Sequence, residues 1–350
     1  MLYQTQNPHG GDIYGAEGIL DFSANTNPLG TPPGVLKAVQ ASLPQLHRYP
    51  DPYCRMLTRA IAKHEELPEE YILCGSGAAE LIYSYCQAVR PGRALELAPT
   101  FSEYALGLEL VGCTVERYLL RQENGFAVDR GILDHIEECC PDALFLCNPN
   151  NPTGKTMNRG LMNHILAKCS QKGVSLFVDE CFLDLCDDGE SLKPYLKDHP
   201  NLCILKAFTK SYGMAGLRLG YCLCADSQLL HRMSGTVQPW NVSGPAQAAG
   251  VAALEEQAFL RKARALIRTE RAWLKKELEA VGFWVCDSEA NYLLFHGPEG
   301  LHSALLEQKI AIRNCDNYHG LGPGWYRIAV RTHKENEALM DAMASVTGRG

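Results

Sequence analysis

Lys210 and Arg218 are the first residues whose type and spacing suggest chemistry. They stand in Phe208-Thr-Lys-Ser-Tyr-Gly-Met-Ala-Gly-Leu-Arg218, which follows an apolar run from Leu202 that reads as a buried strand. Lysine is ordinarily solvated. Among small and apolar neighbours, desolvation favours its neutral, nucleophilic amine. Such an amine can form a Schiff base with an aldehyde cofactor, and an arginine can grip that cofactor's phosphate with two parallel hydrogen bonds. The same stretch also fits a lysine closing a strand and an arginine in a surface ion pair, so other residues must decide.

Four further places carry unusual residues. Gly75-Ser76-Gly77-Ala78 joins a short apolar run to a helical one, where backbone N–H groups and a helix N-terminus can meet a phosphate. A dinucleotide fingerprint would need a third glycine where Glu80 stands, and the Walker-like tail Thr153-Gly-Lys-Thr156 has Pro149 in place of the leading glycine. Phe101 can stack on a flat ring or belong to the core. Asn151, between two prolines, can present its amide to a ring hydroxyl. Asp179 ends an apolar run; a buried carboxylate needs a cation, and a protonated pyridine nitrogen would serve as well as a structural ion pair or a helix cap would.

These residues need a frame. Strands are expected at 72–74, 93–98, 115–120, 143–147, 175–178, 202–208 and 219–224, alternating with helices at 54–64, from Gly75–Glu80 to about 89, 102–111 and 161–170. That alternation predicts a mainly parallel, doubly wound α/β sheet, with ligands at the carboxyl ends of its strands. Beyond Pro245 a long helical pattern runs to 281. Shorter strands follow at 283–286, 292–295, 310–314 and 326–330, then a last helix at 334–346, as in a smaller α+β unit. The expected divisions are an irregular arm or lid at 1–44, a large domain at 45–244 and a small domain at 245–350. Gly, Asn and Pro are dense in the arm, which contains His9-Gly10-Gly11 and Asp21-Phe-Ser-Ala-Asn-Thr-Asn27-Pro-Leu-Gly30.

Composition removes other classes. A net charge of −7 without basic runs argues against nucleic acid. No apolar stretch reaches membrane-span length, and Met1–Gln6 lacks the charged and apolar regions of a signal peptide. The 15 cysteines lie mostly in apolar runs without metal-ligand spacing, so no metal site is expected and a reducing cytoplasm is.

Taken in order, Gly75-Ser-Gly, Phe101, Asn151, Asp179, Lys210 and Arg218 resemble the pyridoxal-phosphate enzymes of the aspartate aminotransferase fold (fold type I). The segments Asn148-Pro-Asn-Asn-Pro-Thr-Gly154, Asp179-Glu180 and Thr209-Lys210 with Arg218 are similar to those of its histidinol-phosphate aminotransferase branch. The resemblance implies a large domain with a seven-stranded sheet, a smaller C-terminal domain, and a homodimer with shared sites. It implies that Lys210 carries pyridoxal 5'-phosphate, Asp179 pairs with the ring nitrogen, Asn151 bonds the ring oxygen and Phe101 stacks on the ring. Ser76, Gly77, Ala78, Thr209 and Arg218 would surround the phosphate, and Tyr49 would reach the cofactor phosphate of the neighbouring subunit.

Three segments look like those of the threonine-phosphate decarboxylases of cobalamin side-chain synthesis: His9-Gly10-Gly11, Asp21–Gly30 and Ile312-Arg313-Asn-Cys-Asp-Asn-Tyr-His-Gly-Leu321. Phe182 agrees, since the aminotransferase branch tends to carry tyrosine there. By this resemblance Arg327 binds the substrate carboxylate, His9, Gly10 and Arg313 contact its phosphate, and Asn27 assists. A phosphorylated amino acid brings roughly three negative charges, which arginine forks suit. Arg331 is expected in an outer ion pair. Two departures stand out: Ala207 replaces a serine that helps hold the cofactor phosphate, implying looser retention, and Lys206 replaces an arginine. The implied activity is decarboxylation of L-threonine O-3-phosphate to an aminopropanol phosphate, with L-serine O-phosphate as a second candidate. Its rivals are an aminotransferase acting on histidinol phosphate and a cofactor-binding homologue without turnover.

Overall fold

A computed structural model of the chain describes residues 9–14, 17–187 and 189–348. The reading of Met1–Gln6 as lacking the features of a signal peptide therefore lies outside the described residues. No helix among them is long and apolar enough to cross a membrane.

The expected seven-stranded sheet is present. Its order is Ile72–Gly75, Gly220–Cys224, Leu202–Ala207, Ser175–Asp179, Ala143–Cys147, Arg93–Ala98 and Thr114–Leu119. Gly220–Cys224 runs antiparallel to both neighbours and the remaining pairs are parallel. The central strands are buried at every residue, which is why they read as unbroken apolar runs rather than alternating ones. Helices cover both faces, producing two separate apolar layers. Helix Arg159–Lys172 shows the local logic: the Asn158 side chain accepts the Leu161 N–H, and Gly173 ends it in a left-handed conformation.

The C-terminal part builds a four-stranded antiparallel sheet ordered Arg313–Asn314, Trp325–Ala329, Tyr292–His296 and Trp284–Val285. Its own apolar cluster includes Phe22 from the arm. The last helix, His333–Thr347, opens on a capping box between Thr332 and Glu335.

Three expectations are corrected. The arm is not wholly irregular. Pro33–Ser42 is a helix with proline in its first turn, where a missing N–H costs nothing. Leu20–Asp21 pairs in parallel with Ile310–Ala311 as a separate two-stranded sheet, which ties the arm to the C-terminal part. The pattern expected as one helix from 245 to 281 is two, Gly244–Leu254 and Gln257–Ala280, separated at Glu255 and Glu256. The expected strand 310–314 breaks at Ile312, because its halves pair with different partners.

Candidate active site

Strand ends supply the site. Phe101 follows Arg93–Ala98, Asn151 follows Ala143–Cys147, Asp179 ends its own strand, and Thr209-Lys210 follows Leu202–Ala207. They line one cavity of about 350 Å³, together with His9, Gly10, Ala78, Arg218, Arg313 and Arg327. Sequence positions from 9 to 327 thus meet in the crevice that an open α/β sheet leaves at its carboxyl edge.

Asp179 is buried, which pushes its pKa up; hydrogen bonds from Cys181 and Tyr104 and the charge of Lys210 oppose that. Tyr104 donates its hydroxyl to Oδ2 at 2.6 Å, and the Cys181 N–H donates to Oδ1 at 2.9 Å. The carboxylate is thereby fixed in position. Lys210 lines the same cavity. Desolvation, helped by Arg327 and Arg218 against Cys181 and Asp179, pushes its ammonium down to about 8. Half the amine is therefore neutral at a pH where an ordinary lysine, with pKa ~10.4, is almost wholly charged. Carbonyl capture by Lys210 should accordingly rise as pH increases through about 8 and then level off. Labelling rates of the apo-protein with a small aldehyde and borohydride, mapped to the Lys210 peptide, test this. A rate still climbing about tenfold per unit towards pH ~10 would mean an unperturbed lysine.

The other end of the cavity is built for an anion. Gly77, at φ +86°, precedes helix Ala78–Val89, whose first turn has no side-chain cap. A Cβ on Gly77 would come within 2.7 Å of an Arg218 terminal nitrogen, so the guanidinium lies directly over a residue that must lack a side chain. Pyridoxal phosphate fits these residues. The cradle suits its phosphate, Lys210 its aldehyde, and Asp179 the proton of its ring nitrogen. Gly77→Ala should loosen cofactor retention at least tenfold and cost about 1–3 kcal/mol of backbone strain. Equilibrium dialysis and thermal unfolding check it, and parental retention would show that the cradle is not used.

Arg327 and Arg313 stand directly opposite each other on antiparallel strands. Like charges so placed repel unless an anion lies between them. Arg327 donates from Nη1 to Asn151 Oδ1 and from Nη2 to the Ser23 carbonyl at 2.8 Å, while its Nε has no partner among the described residues. An arginine only donates, so this contact turns Asn151 Oδ1 away and leaves Nδ2 as the amide's other face. Arg313 donates to Asn317 at 2.8 Å and lies 5.3 Å from the Tyr318 ring centre. Arg331 pairs with Glu335 at 2.8 Å, the outer ion pair expected of it. Ala207 lines the cavity, whereas Lys206, pointing to the other face of its strand, is buried beside Glu65 and Asp184 at 3.0 and 3.2 Å.

Some expected residues lie elsewhere. Asn27 is not in the cavity wall: its Nδ2 donates to the Ser211 carbonyl at 2.7 Å and its Oδ1 accepts from the Leu29 N–H at 2.9 Å, so it braces the lysine turn. Ser76 and Gly77 are also outside the wall, which begins there at Ala78, and the Ser76 N–H is held by Glu80 at 2.7 Å. Tyr49 is 78% exposed and stacks on Trp240.

Other wall residues were not anticipated. Glu103 is buried and bridges His9 Nε2 at 2.6 Å to the Tyr83 hydroxyl at 2.7 Å. Tyr104 and Cys181 were likewise unanticipated, while Tyr318, Ser23, Ala24 and Asn25, which belong to segments the sequence singled out, complete the surroundings. In sequence Glu103 and Tyr104 are ordinary residues of a helical pattern; their partners are 94 and 75 positions away.

A family model described as aminotransferase class I and II matches residues 17–343. The chain is 37% identical to a threonine-phosphate decarboxylase of Salmonella typhimurium over 97% of its own length and 96% of that protein's. It is 30% identical to a histidinol-phosphate aminotransferase of Symbiobacterium thermophilum, covering 96% and 92% of the two chains. Among solved structures, the histidinol-phosphate aminotransferase of Clostridium acetobutylicum superposes with a TM-score of 0.87 at 28% identity, covering 94% of this chain and 99% of that one.

Proposed function

The chain belongs to the aminotransferase class I and II family, with pyridoxal phosphate as cofactor, and from that premise we propose that it decarboxylates a phosphorylated amino acid, L-threonine O-3-phosphate first among candidates. The observation that carries this reading is the in-register pair Arg313 and Arg327, set in one cavity with Lys210. A substrate with an anion at each end answers both guanidiniums. Similarity to threonine-phosphate decarboxylase over nearly the whole chain supports the same substrate class, and 31% identity to an adenosylcobalamin biosynthesis protein of Leptospira interrogans supports a place in cobalamin side-chain synthesis.

The bound cofactor supplies an electron sink for the pair left when a bond to the substrate's Cα breaks. Asp179 would hold the proton on its ring nitrogen, Asn151 Nδ2 would donate to its ring oxygen, and Phe101 would cover one face. Arg218, Thr209 and the N–H groups of Ser76, Gly77 and Ala78 would take its phosphate, with the Ser76 N–H needing release from Glu80 to do so. Arg327 receives the substrate carboxylate; Arg313, His9 and Gly10 receive its phosphate. With these ends anchored, the Cα–carboxylate bond breaks, carbon dioxide leaves, and the Lys210 ammonium returns a proton to Cα. The product is an amino-alcohol phosphate.

Arg327→Ala should raise KM for phosphothreonine roughly 30-fold or more, the effect of about 2 kcal/mol or more for truncating one partner of a buried charge pair. Steady-state kinetics check this, and an unchanged KM removes Arg327 from substrate binding. The deciding experiment incubates the holoenzyme with phosphothreonine, phosphoserine or histidinol phosphate, with and without a keto acid. Carbon dioxide release without keto acid is expected; turnover only with keto acid would make it an aminotransferase, the reading its 30% identity to a histidinol-phosphate aminotransferase favours.

A homodimer is part of this proposal. Tyr49, Tyr53 and Met56 are 78%, 69% and 74% exposed, a patch of large apolar side chains that a second subunit would cover. From there Tyr49 would reach the neighbouring cofactor phosphate. The 15 thiols form no disulfide, which fits a cytoplasmic setting.

A further inference from the structure

Near one edge of the large sheet lies a second cavity, of about 210 Å³, between strand Arg93–Ala98, helix Glu103–Glu109 and the segment at 317–319. Glu96 lines it and is 3% exposed. Arg117, directly opposite in register on the edge strand, donates from Nε to Glu96 Oε1 at 3.0 Å. Glu96 Oε2 has no partner among the described residues. A buried carboxylate oxygen left unmet is costly, and such an atom calls for something to meet it. Arg117 answers the charge only in part. Burial still pushes the carboxyl up to about 7, with Arg117 opposing the rise and Glu109 adding to it. His319 and Tyr318 are the other titratable side chains of the wall.

The wall selects its guest. Ala105 and Leu106 give it an apolar side, and the exposed Glu109 adds a second carboxylate. Two carboxylates against one engaged arginine repel an anion. A metal ion is poorly served, because no group of three or more His, Cys, Asp or Glu among the described residues could hold one. An organic cation can instead direct an N–H at Oε2 and rest its body on the apolar side. The cavity also adjoins the catalytic one. Tyr318 lines both, and Asn317, in the second wall, accepts from Arg313 Nη2 at 2.8 Å.

We propose that this second cavity binds a small organic cation bearing N–H donors, with Glu96 as its anchor. Through Asn317 and Tyr318 the occupant steadies Arg313, so the site tunes substrate affinity from outside the catalytic cavity.

The probe is acetamidinium, which stays protonated and so spares the Lys210 linkage; acetamide is its neutral twin. Calorimetric titration of the holoenzyme should show saturable millimolar or tighter binding of acetamidinium, and acetamide should bind at least about tenfold more weakly. Glu96→Gln keeps the shape and an acceptor for Arg117. It should weaken acetamidinium roughly ten- to a hundredfold, the range for one hydrogen bond to a charged group. Ala105→Leu, which fills the cavity without altering charge, should also remove the binding. Affinity should rise roughly tenfold from pH ~6 to pH ~8, as Glu96 ionises through about 7. Absent binding, or binding that both variants leave unchanged, overturns the site. Saturating acetamidinium should also lower KM for phosphothreonine at least about twofold in the parent and leave it unmoved in Glu96→Gln, the size of a modest coupling between sites. An unmoved parental KM overturns the link to Arg313. Only this last readout rests on the decarboxylase reading, since the titration needs no turnover.

Discussion

Replacing Lys210 with alanine is expected to leave a folded protein that traps no cofactor on borohydride reduction and turns over at least ~10³-fold more slowly. A positioned proton-transfer group alone accounts for roughly 10²–10⁴, and the lost covalent attachment adds to that. The fold should not suffer, because an amine whose pKa is already depressed to about 8 gains little from its surroundings. The parental protein, reduced and digested, should carry the cofactor on the peptide containing Lys210 and nowhere else. A tag on Lys206 would be the sharpest contradiction. That lysine is buried among Glu65, Asp184 and Tyr221, and it is held charged, with its pKa well above the ordinary value, so it should stay inert.

The second large effect is expected at Asp179. Asp179→Asn keeps the shape and can still accept from Cys181 or Tyr104, but it loses the charge that keeps the ring nitrogen protonated. A loss of roughly 10²–10³ in kcat is expected, the size seen when one preorganised electrostatic partner is removed. Stability should move the other way. Burial raises the pKa of Asp179 in the folded state, so the fold favours the protonated form and is penalised by the charged one as pH rises through the folded value. The neutral variant escapes that penalty, and the apo form of Asp179→Asn should melt at or above the parental temperature at pH ~7. Lower stability together with full activity would mean that Asp179 is a structural carboxylate held by Tyr104 and Cys181.

Much of this was legible in the sequence because the informative residues sit where the pattern breaks. Asp179 follows the apolar Leu176-Phe-Val178, and Lys210 comes just past a strand whose six residues are all buried. A fully buried parallel strand leaves such an unbroken run, so its end is visible. The helix Pro33–Ser42 was hidden because its opening Pro33-Gly34 has the composition of a turn, and its only buried residue is Val35. Glu103 and Tyr104 were hidden for another reason. Nothing local marks them, since Tyr104 reads as core in a helix and its bond to Asp179 crosses 75 positions. Asn27 misled for the converse reason. Its motif drew attention, but its amide serves the backbone of Ser211 rather than the cavity.

The pairing of Leu20–Asp21 with Ile310–Ala311, and the grip of Arg327 on Ser23 across 304 positions, bear on how the molecule is made. On a ribosome the arm emerges before its partners, which follow only after some 300 more residues, about 15 to 60 seconds later at ~5–20 residues per second. Through that interval the large sheet can assemble from near neighbours while Phe22, destined for the other apolar cluster, has nothing to bury against. A nascent chain stalled before residue 310 should therefore expose its first segment to proteases and chaperones. Competence to bind substrate would then arrive only once the strand that carries Arg327 has been made.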